Sequence, residues 1–311
     1  MKNLDTAIIM YYWNHFKRIS LFRNFNVCYN HMLKYECVIV PIEISTNNSF
    51  DLNMQGLFAL KSDQLLWQKE RVINYLAEKM PDSIKYIAFI DGDVLFSDDN
   101  WVQEAKNKLD QKENLFIQPF SDVYYLPKNH YRNHGFYSHS TPSVSSQIIK
   151  SDGKENYIKT FNSSDYTFGN PGMAWITKKE TLLNNPLYDK CIIGGGDTIN
   201  LFKWLNLSLD IEIPFIKRKQ DSVICFLKDI LNNKSNVEIN FDYIDQPIFH
   251  LNHGDKVNRK YIERQKILKD TNFNVSKDLV NDQGLYRYVG DNKDFLKSIE
   301  NYFKERNEDL E

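Results

Sequence analysis

Ile84-Lys85-Tyr86-Ile87-Ala88-Phe89-Ile90-Asp91-Gly92-Asp93 is continuously apolar up to Ile90 apart from Lys85, then stops abruptly in two carboxylates around a glycine. An apolar run without polar alternation predicts a central strand covered on both faces. In open α/β sheets, ligands bind beyond the carboxyl ends of the strands, so Asp91 and Asp93 fall where a site is expected. Two carboxylates there offer hard oxygen ligands to Mg²⁺ or Mn²⁺, and Gly92 lets a diphosphate approach the backbone. The plain alternative is a polar turn, since Asp-Gly is a common turn pair.

Strand-like runs at 6–12 and 37–43 flank a stretch with helical character. Leu65, Leu66, Val72, Ile73, Leu76 and Met80 then recur at helical spacing. This alternation predicts an α/β fold with a mixed, mainly parallel sheet flanked by helices in a single domain. Trp101 opens another helix, capped by Asp99 or Asn100. Residues 133–166 are rich in Ser, Asn, His and Thr with little periodicity and read as a long loop or lid. Helices near 178–184 and 198–206 follow, and Phe295, Ile299, Tyr302 and Phe303 mark a closing amphipathic helix.

At 311 residues and 42% hydrophobic content, the chain can bury a full core. Its net charge of -2, from 39 basic and 41 acidic residues without long single-sign blocks, excludes a nucleic-acid partner. No segment approaches the roughly 18 to 20 apolar residues that span a bilayer. The apolar stretch Ala7 to Trp13 follows Asp5, lacks a small-residue cleavage site and reads as a first strand. Cys28, Cys37, Cys191 and Cys225 are widely spaced without a Cys-x-x-Cys pair, which suits a reducing cytoplasm.

Two further constellations have chemical potential. In Phe249-His250-Leu251-Asn252-His253-Gly254, two histidines three apart could hold a borderline metal or could be structural. His130 and His134 are a rival pair that reads as surface. Gly194-Gly195-Gly196-Asp197 ends in a carboxylate that either caps a following helix or serves as a general base. Seven of the twelve glycines, at 92, 169, 172, 194, 195, 196 and 254, fall in these motifs or in the segment Phe168 to Trp175, a clustering that suggests close backbone approach to a ligand.

With Trp67-Gln68-Lys69-Glu70-Arg71-Val72-Ile73-Asn74, Tyr86 to Asp93, Gly169-Asn170-Pro171-Gly172-Met173-Ala174-Trp175, Gly194 to Asp197, and His250 to Gly254 leading into Asn258-Arg259-Lys260-Tyr261, the chain resembles GT-A fold glycosyltransferases. The motif order is similar to that of the β-1,4-galactosyltransferases, and similar still more to a group of bacterial, phage and giant-virus glycosyltransferases. The motifs span 67–261, and the second likeness continues to Glu308-Asp309.

The resemblance implies a GT-A (Rossmann-like) domain over 1–311: a nucleotide-binding half at 1–125, a loop or lid at 126–170, an acceptor and metal half at 171–270, and a C-terminal helical segment at 271–311. It implies Mn²⁺ or Mg²⁺ on Asp93, with Asp91 on the nucleotide, its ribose or the metal. His253 is the preferred third ligand, and His250 stands where the galactosyltransferases have methionine. Asp197 keeps the base position, with Gly196 where the family has Glu. Lys69 or Arg71 would assist the departing diphosphate, Gly172 and Trp175 would border the donor sugar, and Glu43 would meet the nucleotide. The expected reaction moves a sugar from a nucleoside-diphosphate sugar, UDP-linked, to a hydroxyl on a glycan, lipid-linked saccharide or protein, with inversion. The alternatives are a sugar nucleotidyltransferase, which usually needs a Gly-rich basic loop where this chain has Tyr11 to His15, and a non-catalytic carbohydrate-binding protein using the 14% aromatic content for stacking.

Overall fold

A computed structural model describes residues 3–131, 135–160, 168–207, 225–231, 237–261, 263–306 and 308–309. The strands are β1 (Asn3–Tyr12), β2 (Cys37–Ser45), β3 (Phe58–Lys61), β4 (Tyr86–Asp91), β5 (Val94–Phe96), β6 (Leu115–Gln118), β7 (Asp122–Tyr125), β8 (His139–Pro142), β9 (Ala174–Lys178), β10 (Asn240–Tyr243), β11 (Pro247–His250), β12 (Leu279–Asp282) and β13 (Leu285–Tyr288). Helices used below are α1 (Ile19–Met32), α2 (Lys69–Lys79), α3 (Trp101–Gln111), α4 (Val144–Lys150), α5 (Lys154–Thr160), α6 (Lys179–Asn184) and α7 (Gly196–Trp204). Later helices are named by their bounds.

The main sheet runs β10-β6-β9-β4-β1-β2-β3. It is mixed and mainly parallel: β9 is antiparallel to both β4 and β6, and the other pairs are parallel. Both central strands are apolar along their length because alternate residues enter two cores. Ala7, Ile9 and Tyr11 of β1, with Ile87 and Phe89 of β4, pack with Val72, Ile73 and Leu76 of α2 and with Phe295 and Ile299 of the helix Asp294–Glu305. Ile8, Met10 and Tyr12, with Ala88 and Ile90, pack instead with Phe25, Cys28 and Met32 of α1 and Trp101, Val102 and Ala105 of α3. A second sheet, β5-β11-β7-β8, lies beyond the carboxyl end of β4, and β12-β13 form a hairpin.

Several elements differ from the sequence reading. The helix expected from Leu65 starts at Lys69, because residues before it are bound elsewhere. Trp67 N–H donates to the Ile192 carbonyl, while the side chains of Gln64 and Gln68 pair with the backbones of Tyr288 and Tyr286 as a neighbouring strand would. Neither Asp99 nor Asn100 caps α3 through its side chain. The stretch 126–170, read as a loop, contains β8, α4 and α5, with 132–134 and 161–167 outside the described residues. Its α4 starts with polar residues that read as loop in sequence but are buried through hydrogen bonds: Ser143 caps Ser146 N–H, Gln118 accepts from Ser145 N–H, and the Ser146 hydroxyl donates to the Ser121 carbonyl. The 271–311 segment holds the β12-β13 hairpin as well as helices.

All four cysteines are unpaired. Among the described residues, no helix is long and apolar enough to cross a membrane. Phe295 is fully buried, stacked on Phe273 at 5.2 Å and 4.2 Å from the Tyr288 ring. Phe295→Ala should therefore cost about 3 to 5 kcal/mol, read as a lower urea midpoint; a loss under about 1 kcal/mol would show that the helix Asp294–Glu305 is peripheral to the first core.

Candidate functional site

The Asp-Gly-Asp turn is where the chain passes from one sheet to the other. β4 ends at Asp91 in the main sheet, and β5 pairs antiparallel with β11, setting Val94 opposite His250. Leu251 N–H donates to the Asp93 carbonyl at 2.8 Å, so the register itself brings Asp93 beside His250. After β11, Asn24 of α1 donates to the Asn252 carbonyl at 3.0 Å and holds the loop that returns His253 to the same spot.

One ligand atom from each of Asp93, His250 and His253 lies within 4.8 Å of the others. The Asp93 Oδ2 is 2.8 Å from His253 Nε2 and 3.4 Å from His250 Nε2, and all three residues are largely buried. Burial alone would raise the Asp93 pKa, but His250 and His253 more than offset it and hold the group well below the carboxylate range. Burial pushes the His250 ring down. At His253, burial and Arg259 act downward, and Asp93 and Glu308 outweigh them so that the ring is raised. Asp93 Oδ1 is buried with no hydrogen-bond partner, an expensive condition for a carboxylate oxygen. A divalent cation fits these residues: an Asp93 oxygen and two imidazole nitrogens make a compact donor set, and the other Asp93 oxygen is left without a partner.

Asp91 points the other way. Lys69, at the start of α2, donates to Asp91 Oδ1 at 3.1 Å and to Asp197 Oδ1 at 2.9 Å. Asp91 is therefore not a member of the Asp93 cluster. Gly194 and Gly195 have φ of 84° and 97°, the left-handed region glycine tolerates, and this turn starts α7 with Asp197 in its first turn. Gly195 occupies the N-cap position, and no side chain caps the helix there. Burial alone would lower the Lys69 pKa, but Asp197, Asp91 and Glu70 raise it well above the lysine range.

Gly172 and Gly196 make room for this group. A Cβ on Gly172 would lie 3.0 Å from Asp197 Oδ2, and one on Gly196 would lie 2.3 Å from the Glu70 carboxyl. Gly92 makes room for packing: a Cβ there would lie 2.4 Å from the Phe25 ring of α1. Trp175 is buried, donates its indole N–H to the Pro171 carbonyl at 2.9 Å, and lines a recess with Tyr11, Lys69, Asp91 and Asp197.

Other expected residues are placed elsewhere. Both Glu43 oxygens accept backbone N–H groups, from Asp51 at 2.7 Å and Leu52 at 2.9 Å, so its carboxylate fixes the loop after β2. Arg71 pairs with Asp189 at 3.3 Å and with the Gly284 carbonyl, facing the β12-β13 hairpin. His130 contacts the Lys128 carbonyl, and His134 lies outside the described residues. Three residues had no assigned role: Glu70, 4.0 Å from Lys69 Nζ; Arg259, whose Nη2 lies 2.7 Å from His253 Nε2; and Glu308, 3.5 Å from His253 Nδ1. Each reaches the site through tertiary packing, which spacing along the chain does not record.

No protein-family model matches the chain, and no curated protein matches its sequence. Among solved structures, it is similar to a Drosophila β-1,4-galactosyltransferase 7 mutant in complex with manganese, UDP-Gal and xylobiose, at 11% identity and TM-score 0.35, over 67% of this chain and 66% of that one. It is also similar to the catalytic domain of Drosophila β-1,4-galactosyltransferase 7 with xylobiose, at 10% identity and TM-score 0.31, over 76% and 63%. A third is glucosyl-3-phosphoglycerate synthase from Mycobacterium tuberculosis with Mn²⁺, UDP and phosphoglyceric acid, at 9% identity and TM-score 0.39, over 73% and 78%. The chain thus spans slightly under two thirds of the length of the two Drosophila structures.

Burial pushes Glu70 from 4.5 up to about 7, with Lys69 offsetting part of the effect. A carboxyl raised on folding contributes most below its unfolded pKa, so stability should fall as pH rises from about 4.5 to about 7. Glu70→Gln should flatten that slope in urea midpoints taken across the range; an unchanged slope would show that Glu70 does not titrate there. Gly196→Ala should cost about 1 to 3 kcal/mol by overpacking and be largely relieved in the Gly196→Ala, Glu70→Ala double variant. Strict additivity of the two changes would count against the contact.

Proposed function

We propose that this chain is a metal-dependent glycosyltransferase that moves a sugar from a nucleoside-diphosphate sugar, UDP-linked, to a hydroxyl of a glycan, lipid-linked saccharide or protein. The observation behind this reading is that Asp-Gly-Asp divides its carboxylates between two adjoining centres, Asp93 with two histidines and Asp91 with the Lys69-Asp197 pair. The motif resemblance described above supports the same reaction class. Four unpaired cysteines suit a reducing compartment such as the cytoplasm.

Asp93, His250 and His253 would hold the divalent ion. Two imidazoles favour Mn²⁺ over Mg²⁺, which prefers an all-oxygen shell. When bound, the ion would supply positive charge to the departing diphosphate. Asp197 is 36% exposed at its side chain, and Lys69 holds Oδ1, which leaves Oδ2 to take the acceptor proton. The acceptor oxygen then bonds the anomeric carbon as the bond to the diphosphate oxygen breaks, with that electron pair leaving on the diphosphate and configuration inverted. Lys69 fixes the orientation of Asp91 and Asp197 throughout.

Mn²⁺ with UDP or a UDP-sugar should raise the melting temperature, and a chelator should abolish the rise. Asp93→Ala should lose both this shift and transfer, whereas Asp197→Asn should keep the shift and lose turnover. Full transfer by Asp93→Ala would remove the metal assignment, and full turnover by Asp197→Asn would remove the base.

A further inference from the structure

The segment after the helix Asp294–Glu305 folds back onto the start of α1. Asp309 accepts the N–H groups of Ile19 at 2.7 Å and Ser20 at 2.8 Å, two amides that the first turn of a helix leaves without partners inside the helix. The Ser20 hydroxyl donates to the Glu308 carbonyl at 2.8 Å, and Arg18 donates to the Lys304 carbonyl at 3.0 Å. The same helix holds the histidine loop through Asn24 and Asn252. Helix α1 therefore fixes Glu308 and His253 relative to one another.

Glu308 is buried, at 6% exposure, where an isolated carboxylate would be costly. Its Oε1 faces the Arg306 guanidinium and, at 3.5 Å, His253 Nδ1. On the other side of the ring, Nε2 lies 2.8 Å from Asp93 Oδ2, with the Arg259 guanidinium 2.7 Å away. The same guanidinium nitrogen lies 3.1 Å from Nδ1 and so does not choose between the ring nitrogens, but a neutral ring that ligates a cation through Nε2 carries its proton on Nδ1, facing Glu308. In that tautomer the Nε2 lone pair and the Asp93 carboxylate, two acceptors, converge where a cation would sit.

We propose that Glu308 is a positioning residue of the metal centre: its carboxylate holds the Nδ1–H of His253, fixing the tautomer that presents Nε2 toward Asp93, and the docking of Asp309 on α1 sets it there. The inference rests on reading Asp93, His250 and His253 as a divalent-cation site. A carboxylate behind a ligating histidine typically accounts for a 10- to 100-fold effect on metal affinity.

The test is Mn²⁺ titration calorimetry on the wild-type chain and on Glu308→Ala, Glu308→Gln, Asp309→Ala and His253→Ala, with nitrogen NMR of the metal-free His253 ring in mildly alkaline buffer. Glu308→Ala should weaken Mn²⁺ binding about 10- to 100-fold and shift the ring proton from Nδ1 toward Nε2. Glu308→Gln, whose side-chain carbonyl still accepts, should restore most of both, and Asp309→Ala should fall between. If Glu308→Ala does not fold, the Gln and Asp309 variants decide the question. Mn²⁺ binding that needs His253 but is indifferent to Glu308 and Asp309, with the tautomer unchanged, overturns the inference alone. A wild-type chain that binds no Mn²⁺ overturns the cation-site reading and the inference with it.

Discussion

The pairing of Val94 with His250, reinforced by the Leu251 N–H on the Asp93 carbonyl, joins the two sheets at the site. Side chains alternate faces along a strand, so a one-residue slip of β5 against β11 would turn His250 away and dissolve the Asp93 cluster. The turn before β5 is equally constrained, since Phe25 of α1 occupies the space a side chain at Gly92 would need. Helix α1, the turn and β11 thus specify one another's positions, and the rest of the site is arranged around that junction.

The charges around this junction are mostly negative. Lys69 is one ammonium facing Asp91, Asp197 and, more distantly, Glu70. Such a group is tolerable when buried only if like charges are neutralised or kept apart. Glu70, pushed up to about 7, keeps its proton through much of the acidic range and relieves part of the repulsion. A diphosphate approaching Asp91, Asp93 and Asp197 without a cation would meet an unfavourable field, which gives the proposed metal requirement an electrostatic basis.

The main sheet was legible because burial on both faces leaves an unbroken apolar run, as at 84–90. Asp93, His250 and His253 were legible as residues, since a carboxylate after such a strand and a spaced histidine pair are visible locally. Their meeting is not recorded by spacing along the chain, because it depends on β5 changing sheets, and it was only the motif resemblance that implied it. Polar residues with internal duties are the hardest to place from sequence. The Glu43 carboxylate accepts from the backbone of 51–52 and Arg71 pairs with Asp189, while Ser143 to Ser146, in a stretch that reads as loop, form a buried helix start. Glu70 and Glu308 fall within the segments that carry the resemblance, but their roles were not legible, because a glutamate in sequence looks the same whether it faces water or a buried cation.

The packing of the helix Asp294–Glu305 against β1 also bears on how the chain is made. Phe303 lies 4.4 Å from Trp13 in the first core, and Asp309 caps α1 on the opposite face of the sheet, so residues nearly three hundred positions apart meet on both sides of it. During vectorial synthesis, Tyr11 and Trp13 emerge from the ribosome long before their apolar partners do. Until then the nascent sheet has one face covered by α1 and α3 and the other still lacking part of its cover. Contacts of this sequence separation slow folding and prolong the exposure of apolar surface, so protection of the nascent chain by a chaperone matters most in the interval before that helix is translated.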